Sequence, residues 1–193
     1  MNGEWCYFNA KFSPQFCKQV IDIGMTIPSQ AAALGVNGLS ARSDNSYRRS
    51  DIRFIDKTDK RFEFLFDALW KCAIEANDAW FNFHISKLDY IQFAEYTAAQ
   101  QGEYKRHHDV FWINNDPKYH RKLSAVVQLS DPTDYEGGEL QLFDLSNGAP
   151  DPTDLKRQGT ALFFPSFVPH AVTPVTKGTR YSLAIWFDGP KWR

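Results

Sequence analysis

The sequence predicts an α+β, mainly β fold: a double-stranded β-helix (jelly-roll) barrel with N-terminal helices packed on the outside of one sheet. Three observations carry this. Hydrophobic periodicity is helical in the first part of the chain and switches to period two from Leu88 onward. The period-two stretches are short and are punctuated by Asp131-Pro132, Gly137-Gly138, Asn147-Gly148 and Asp151-Pro152, the turn chemistry of antiparallel strands. Several of these strands read as buried on both faces, one face against helices and the other toward a cavity, which calls for two facing sheets with a helical layer outside.

Taken in order, Trp5 to Phe12 alternates imperfectly, as an edge strand does. Ser13-Pro14 reads as an N-cap followed by proline at the first helical position, and Phe16, Val20 and Ile23 then recur at helical spacing, giving a helix from about Pro14 to Met25. Pro28 to Ser50 shows little periodicity and carries Gly35, Asn37, Gly38 and Asn45, so it reads as a long loop. Arg42, Arg48 and Arg49 sit in or just after it, either on a solvated surface or in a lid over a substrate. Arg49 to Asp56 reads as a short strand. A second helix, capped by Thr58 or Asp59, carries Phe62, Leu65, Phe66, Leu69 and Ala73 on one face and runs to about Asn77. That stripe is core.

Among the strands, Tyr90, Gln92, Ala94 and Tyr96 share one face, with Ile91 and Phe93 on the other. Leu123, Ala125, Val127 and Leu129 oppose Ser124, Val126 and Gln128. In the last long strand the bulky set Tyr181, Leu183, Ile185 and Phe187 opposes Arg180, Ser182, Ala184 and Trp186. An arginine on that smaller face leaves both room and a buried positive charge, and such a charge must be paired. Its partner is either a small dicarboxylate or an internal salt bridge to Glu95 or Asp109.

With 193 residues the chain reads as one domain, residues 1–85 forming helical support and a candidate lid loop and residues 86–190 the jelly-roll core. A hydrophobic share of 43% with 16% aromatics supports a folded core throughout. The net charge of −1 offers no basic excess for a nucleic-acid partner. Cys6, Cys17 and Cys72 are odd in number and without paired spacing, so they read as small buried hydrophobes in a reducing setting. No apolar run approaches the roughly 20 residues of a membrane span, and the first residues lack a charged segment followed by an apolar one. The expectation is a cytoplasmic protein without a membrane partner.

His107 and Asp109 stand two residues apart, which on an extended strand puts them on one face about 7 Å apart along the backbone, with His108 on the other. A distant third ligand, for which His170 is the natural candidate, would complete two imidazoles and one carboxylate, the donor set of non-haem Fe(II) oxygenases. His84 and His120 lack any partner pattern and read as surface or turn residues, and His108 reads as packing or supporting.

After His170 a short hydrophobic turn leads, about ten residues on, to Arg180 at the opening of a strand. Together with Tyr96 and Tyr104 ahead of the His-x-Asp pair, the Arg121-Lys122-Leu123-Ser124 strand opening, Tyr135-Glu136-Gly137-Gly138-Glu139-Leu140 and Gly159 to Ser166, this resembles the prolyl 4-hydroxylase-like branch of the 2-oxoglutarate and Fe(II)-dependent oxygenase superfamily from about Leu88 to Asp188. The resemblance implies that His107, Asp109 and His170 hold Fe(II) and that Arg180 pairs with the far carboxylate of 2-oxoglutarate. A guanidinium suits that place because it stays charged when buried and meets a carboxylate through two parallel hydrogen bonds.

The resemblance further implies that Tyr96, Gln128 and Ser182 attend the co-substrate, Gln128 standing where relatives often have a tyrosine, and that Arg121, Trp186 and Tyr104 face the substrate. The implied activity is that of a dioxygenase that consumes 2-oxoglutarate and O2, with ascorbate as an auxiliary reductant, hydroxylates an unactivated C–H bond and releases succinate and CO2. The implied substrate is a prolyl residue in a peptide or protein, with a free amino acid or other small molecule as the alternative. A nucleic-acid dealkylating oxygenase would want a basic groove that this composition lacks. A non-catalytic, cupin-like metal- or ligand-binding barrel is the rival of another class, and its His-x-His signature is absent here.

Overall fold

The computed structural model describes residues 3–31, 46–110 and 119–192. Arg42 of the candidate lid lies outside these residues. In chain order the elements are β1 (Cys6–Phe8), α1 (Pro14–Gly24), β2 (Gln30–Ala31), β3 (Arg48–Arg49), β4 (Asp51–Asp56), α2 (Glu63–Ala76), β5 (Tyr90–Thr97), β6 (Glu103–His107), β7 (Tyr119–Gln128), β8 (Tyr135–Gly137), β9 (Leu140–Leu142), α3 (Pro152–Lys156), β10 (Ala161–Pro165), β11 (His170–Val172) and β12 (Val175–Pro190).

Two antiparallel sheets result. The larger runs β1-β10-β7-β12-β5-β4-β2, with β8 also paired to β12, and the smaller runs β3-β6-β11-β9. The long strand β12 is central because it pairs with both β5 and β7, setting Arg180 opposite Tyr96 and Ser182 between Ala94 and Gln128. One face of the large sheet, through Ile91, Phe93, Leu123, Ala125, Val127, Leu183, Ile185 and Phe187, packs with Cys17 and Val20 of α1 and Leu65, Leu69 and Ala73 of α2. The other face, through Ile52, Ala94, Tyr96, Leu162 and Phe164, packs with Leu140, Leu142 and Val172 of the small sheet. The molecule is therefore layered as helices, large sheet and small sheet, as the alternating strand faces predict.

The helices start where the sequence places them. Ser13 accepts from the amide of Phe16 with Pro14 at the first position, and α1 ends at Gly24, one residue short of the expected end. Asp59 caps a 3₁₀ turn, Lys60–Phe62, which continues into α2 and then into a π turn, Asn77–Phe81. Two local readings need correction. Arg49 to Asp56 is not one strand: the chain breaks at Ser50, so β3 joins the small sheet and β4 the large one. Asp151-Pro152 is a helix start, Asp151 accepting from the amide of Thr153 at the head of α3.

Gly137 and Gly138 show why the turn after β8 is made of glycine. Both have positive φ, 74° and 58°, and a Cβ on Gly137 would meet the carbonyl oxygen of Pro174 at 2.1 Å. A Cβ on Gly138 would sit 3.0 Å from the Arg180 side chain, so this close turn also leaves Arg180 its space.

Candidate active site

A cavity of ≈ 450 Å³, its open mouth included, lies between the two sheets. His107, Asp109 and His170 line it, and their ligating atoms all lie within 4.8 Å of one another. His107 ends β6 and faces His170 across the β6–β11 pairing. Asp109 is reached differently from the expectation. The strand stops at His107 and the chain bends, with the Asp109 amide donating to Ser166 O at 2.9 Å. His108 is exposed at that bend, so packing does not fall to it.

The imidazole nitrogens are sorted by backbone carbonyls. His107 Nδ1 lies 2.8 Å from Lys105 O and His170 Nδ1 lies 3.1 Å from Val168 O, so each Nδ1 carries its proton outward and each Nε2 lone pair faces the carboxylate. Nε2 of His107 is 3.9 Å from Asp109 Oδ1, and Nε2 of His170 is 3.7 Å from Asp109 Oδ2. An ion about 2.1 Å from each donor spans donors up to about 4.2 Å apart, so these gaps fit one ion.

Protonation states agree with that use. Burial first, and then His170, pushes the His107 pKa down to about 3, which leaves the ring neutral at physiological pH. Burial alone would raise the Asp109 pKa, but His170, His107, Arg121 and the Ser124 hydroxyl outweigh it and hold the carboxyl below its ordinary value. Ser124 Oγ donates to Asp109 Oδ2 at 2.7 Å and lies 2.9 Å from Ser166 Oγ. With one proton on each hydroxyl, Ser124 accepts from Ser166. Two imidazoles, one carboxylate and satisfied outer nitrogens are a donor set for a divalent first-row metal with positions left open.

Arg180 lies on the cavity wall contributed by β12, 3% exposed. Its Nε donates to Gln128 Oε1 at 3.0 Å and its Nη1 to Ser182 Oγ at 3.2 Å. The internal salt bridge considered for it is not formed, because Glu95 pairs with Arg53 at 2.8 Å and Asp109 is held by Ser124 and faces the histidines. The Gln128 amide is turned onto protein partners at both ends, Arg180 on one side and Ser130 O on the other. Gln128 thus orients the arginine. Tyr96, 4% exposed, lies under the Arg180 guanidinium at 5.6 Å.

Tyr104 stacks on the His107 ring at 3.5 Å and carries the Arg48 guanidinium 4.3 Å from its ring centre. Trp186 lines the cavity with the Arg121 guanidinium stacked 3.9 Å from its ring, and Arg121 also donates to the Tyr90 hydroxyl at 2.6 Å. Ser124 and Tyr135 are given no role by the sequence reading, and Arg48 is placed only in or just after a loop. Ser124 was assigned to the right face, but its bond to Asp109 depends on register. Of the two readings offered for Arg48, the solvated surface fails: it stands just after the loop, is 5% exposed and lines the cavity. Tyr135 has a buried hydroxyl beside Arg180, and its pKa is raised by burial with Arg180 acting in the opposite sense.

Fold and site together define a class of protein built around a metal-ligating cluster and a buried guanidinium in a cavity between two antiparallel sheets. The family model of the 2OG-Fe(II) oxygenase superfamily matches residues 91–188, and the chain belongs to that superfamily. It is 36% identical over 89 residues to a PKHD-type hydroxylase of Teredinibacter turnerae and equally so to the PKHD-type hydroxylase YbiX of Escherichia coli O157:H7. Those matches cover 45% of this chain and 38% and 34% of the respective relatives, so the chain aligns with well under half of their length. In fold it is similar to a Pseudomonas putida prolyl-4-hydroxylase, with a TM-score of 0.72, 21% identity and coverage of 98% of this chain and 94% of that one. It is equally similar, with a TM-score of 0.72 and 21% identity over 96% of this chain and 83% of the other, to a Trichoplax adhaerens prolyl hydroxylase in complex with a hypoxia inducible factor oxygen degradation domain peptide fragment. No helix among the described residues is long and apolar enough to cross a membrane.

Proposed function

We propose that the protein is an Fe(II)- and 2-oxoglutarate-dependent dioxygenase that hydroxylates an unactivated C–H bond, and that residues 86–190 form a jelly-roll catalytic core within one domain. The observation that carries this is the juxtaposition of the His107, Asp109 and His170 cluster with the buried Arg180 in one cavity. When bound, Fe(II) with 2-oxoglutarate and O2 supplies the oxidising chemistry, with succinate and CO2 as co-products. His107, Asp109 and His170 hold the metal. Arg180, steered by Gln128 and Ser182, takes the far carboxylate of the co-substrate, and Tyr96 packs beside it. The apolar walls, including Leu140, Val126 and Val172, keep water from the reacting groups.

The substrate reading is a prolyl residue in a peptide or protein. It is supported by an aromatic ledge outside the cavity mouth. Phe54 and Tyr90, 45% and 36% exposed, meet edge to face at 5.6 Å, and Tyr90 leads at 5.8 Å to Trp186 with Arg121 stacked on it. Such ledges receive extended, proline-bearing chains. A second reading, hydroxylation of a free amino acid or other small molecule, is favoured by Arg48, treated below. A cytoplasmic setting is supported by the three cysteines, all free and buried, whose thiol pKa values burial raises to about 12, 11 and 12 for Cys6, Cys17 and Cys72.

The test is succinate formation by anaerobically iron-loaded protein given 2-oxoglutarate and O2, with and without proline-containing peptides and free amino acids. Iron-dependent succinate that rises with one class of additive is the expected result; none under any condition, with iron bound, overturns the reading. Ser124→Ala removes the hydroxyl that fixes Asp109 and is expected to weaken Fe(II) binding about 10–100-fold, read by anaerobic metal titration. Unchanged affinity would make that hydrogen bond incidental to the metal.

A further inference from the structure

Arg48 carries a positive charge that the oxygenase reading leaves unused. It belongs to β3, the edge strand of the small sheet, and is paired in register with Tyr104 of β6. Its side chain lines the same cavity as the metal cluster and Arg180 and is 5% exposed. One side of the guanidinium is accounted for: Nε donates to Ser50 Oγ at 2.8 Å, and the plane lies over the Tyr104 ring. The other side is not, since Nη2 is buried without a hydrogen-bond partner. A guanidinium cannot relieve this by losing its proton, and an unpaired buried charge is costly.

No carboxylate among the described residues serves it. Glu103, next to Tyr104 and buried, is taken by Arg49 and Lys105, each at 2.7 Å. Asp109 is the one carboxylate among the described cavity-lining residues, and it is committed to Ser124 and the histidines. Of the described lining residues other than the two histidines, Arg48 and Arg180 are cationic and Asp109 is anionic. Fe(II) and the 2-oxoglutarate dianion cancel, and Arg180 is consumed by the far carboxylate. One surplus positive charge therefore remains after both have entered, and it sits at Arg48, on the small sheet beside the His107–Tyr104 stack, whereas Arg180 belongs to the large one. A single monoanion with two oxygens in a plane satisfies both the charge and the open edge of the guanidinium.

We propose, resting on the oxygenase reading above, that Arg48 binds a carboxylate of the molecule to be hydroxylated. The substrate class is then one with a free carboxylate close to the reacting carbon: the last residue of a chain, which narrows the prolyl reading above to a terminal residue, or a free amino acid, its alternative. The ledge of Phe54, Tyr90 and Trp186 remains available to whatever precedes that terminal unit.

The experiment is calorimetric titration, without O2, of iron-loaded protein saturated with 2-oxoglutarate, using the protein-forming L-amino acids, proline included, and the α-amide of each as probes. At least one acid is expected to bind about ten-fold or more tightly than its amide, the discrimination one charge-assisted pair supplies. Arg48→Gln should erase that difference while weakening 2-oxoglutarate far less, and Arg48→Lys should restore part of it, which a merely structural arginine would not do. The proposal is overturned if no acid outbinds its amide, or if Arg48→Gln weakens 2-oxoglutarate as much as Arg180→Gln does, which would make Arg48 a second co-substrate anchor. Failure of the wild-type protein to bind 2-oxoglutarate at all would overturn the oxygenase reading itself, an outcome distinct from either.

Discussion

His107→Ala is expected to abolish iron-dependent turnover and to lower Fe(II) affinity by more than the about 10–100-fold that losing an outer hydrogen-bond partner costs. His170→Ala should do the same. Each removes one of two imidazole donors whose Nε2 atoms stand 3.9 and 3.7 Å from the Asp109 oxygens, and no other histidine reaches the cluster among the described residues. The fold should survive. The main core lies on the far side of the large sheet, between it and the helices, and contains neither histidine. The loss on the cavity side comprises ring contacts of His107 with Tyr104, of His170 with Phe164 and between the two histidines, together with the Nδ1 hydrogen bond to Lys105 O or Val168 O. Such losses amount to about 1 kcal/mol each, or about 2–4 °C in Tm for a chain of this size. Anaerobic Fe(II) titration alongside thermal unfolding separates the two effects. Retained iron affinity in either variant would remove the ligand assignment, and a collapsed Tm would show the histidines to be structural.

Legibility of this site in sequence follows distance along the chain. The cavity face of β12 can be read directly, because Arg180, Ser182, Ala184 and Trp186 alternate with Tyr181, Leu183, Ile185 and Phe187, and alternation is local. The helix starts at Ser13 and Asp59 can be read for the same reason. What resists reading is whatever pairing across strands creates. Arg48 becomes a cavity residue only because β3, two residues long, pairs with β6 and leaves the chain free to cross to the large sheet at Ser50. A two-residue strand after a stretch rich in glycine, serine and asparagine has no periodicity to reveal it. Ser124 meets Asp109 through the register of β7 and the bend after β6, neither of which leaves a local trace. The His-x-Asp pair is a mixed case: the two residues do share a site, but a bend anchored on Ser166 brings them there where an extended strand was expected.

Arg180→Lys is expected to raise the 2-oxoglutarate requirement at least about ten-fold while moving Fe(II) affinity by less than about two-fold. The charge is kept, so a purely coulombic anchor would tolerate the change. The arginine here is held by geometry, however: Nε is fixed by Gln128 Oε1 and Nη1 by Ser182 Oγ, so the planar fork is aimed before any ligand arrives. A lysine has a single nitrogen at the end of a flexible stem and cannot bond Gln128, Ser182 and two carboxylate oxygens at once. One lost charge-assisted hydrogen bond costs about 1.5–3 kcal/mol, which is roughly 10- to 150-fold in affinity. The lysine also leaves the Gln128 oxygen without its donor in a buried position, so Gln128→Leu combined with Arg180→Lys should recover little 2-oxoglutarate affinity but some thermal stability. Anaerobic titration of both ligands into the same preparations reads the result. Equal losses for iron and 2-oxoglutarate would mean that Arg180 supports the cavity as a whole, and selective loss of 2-oxoglutarate is what an anchor for its far carboxylate requires.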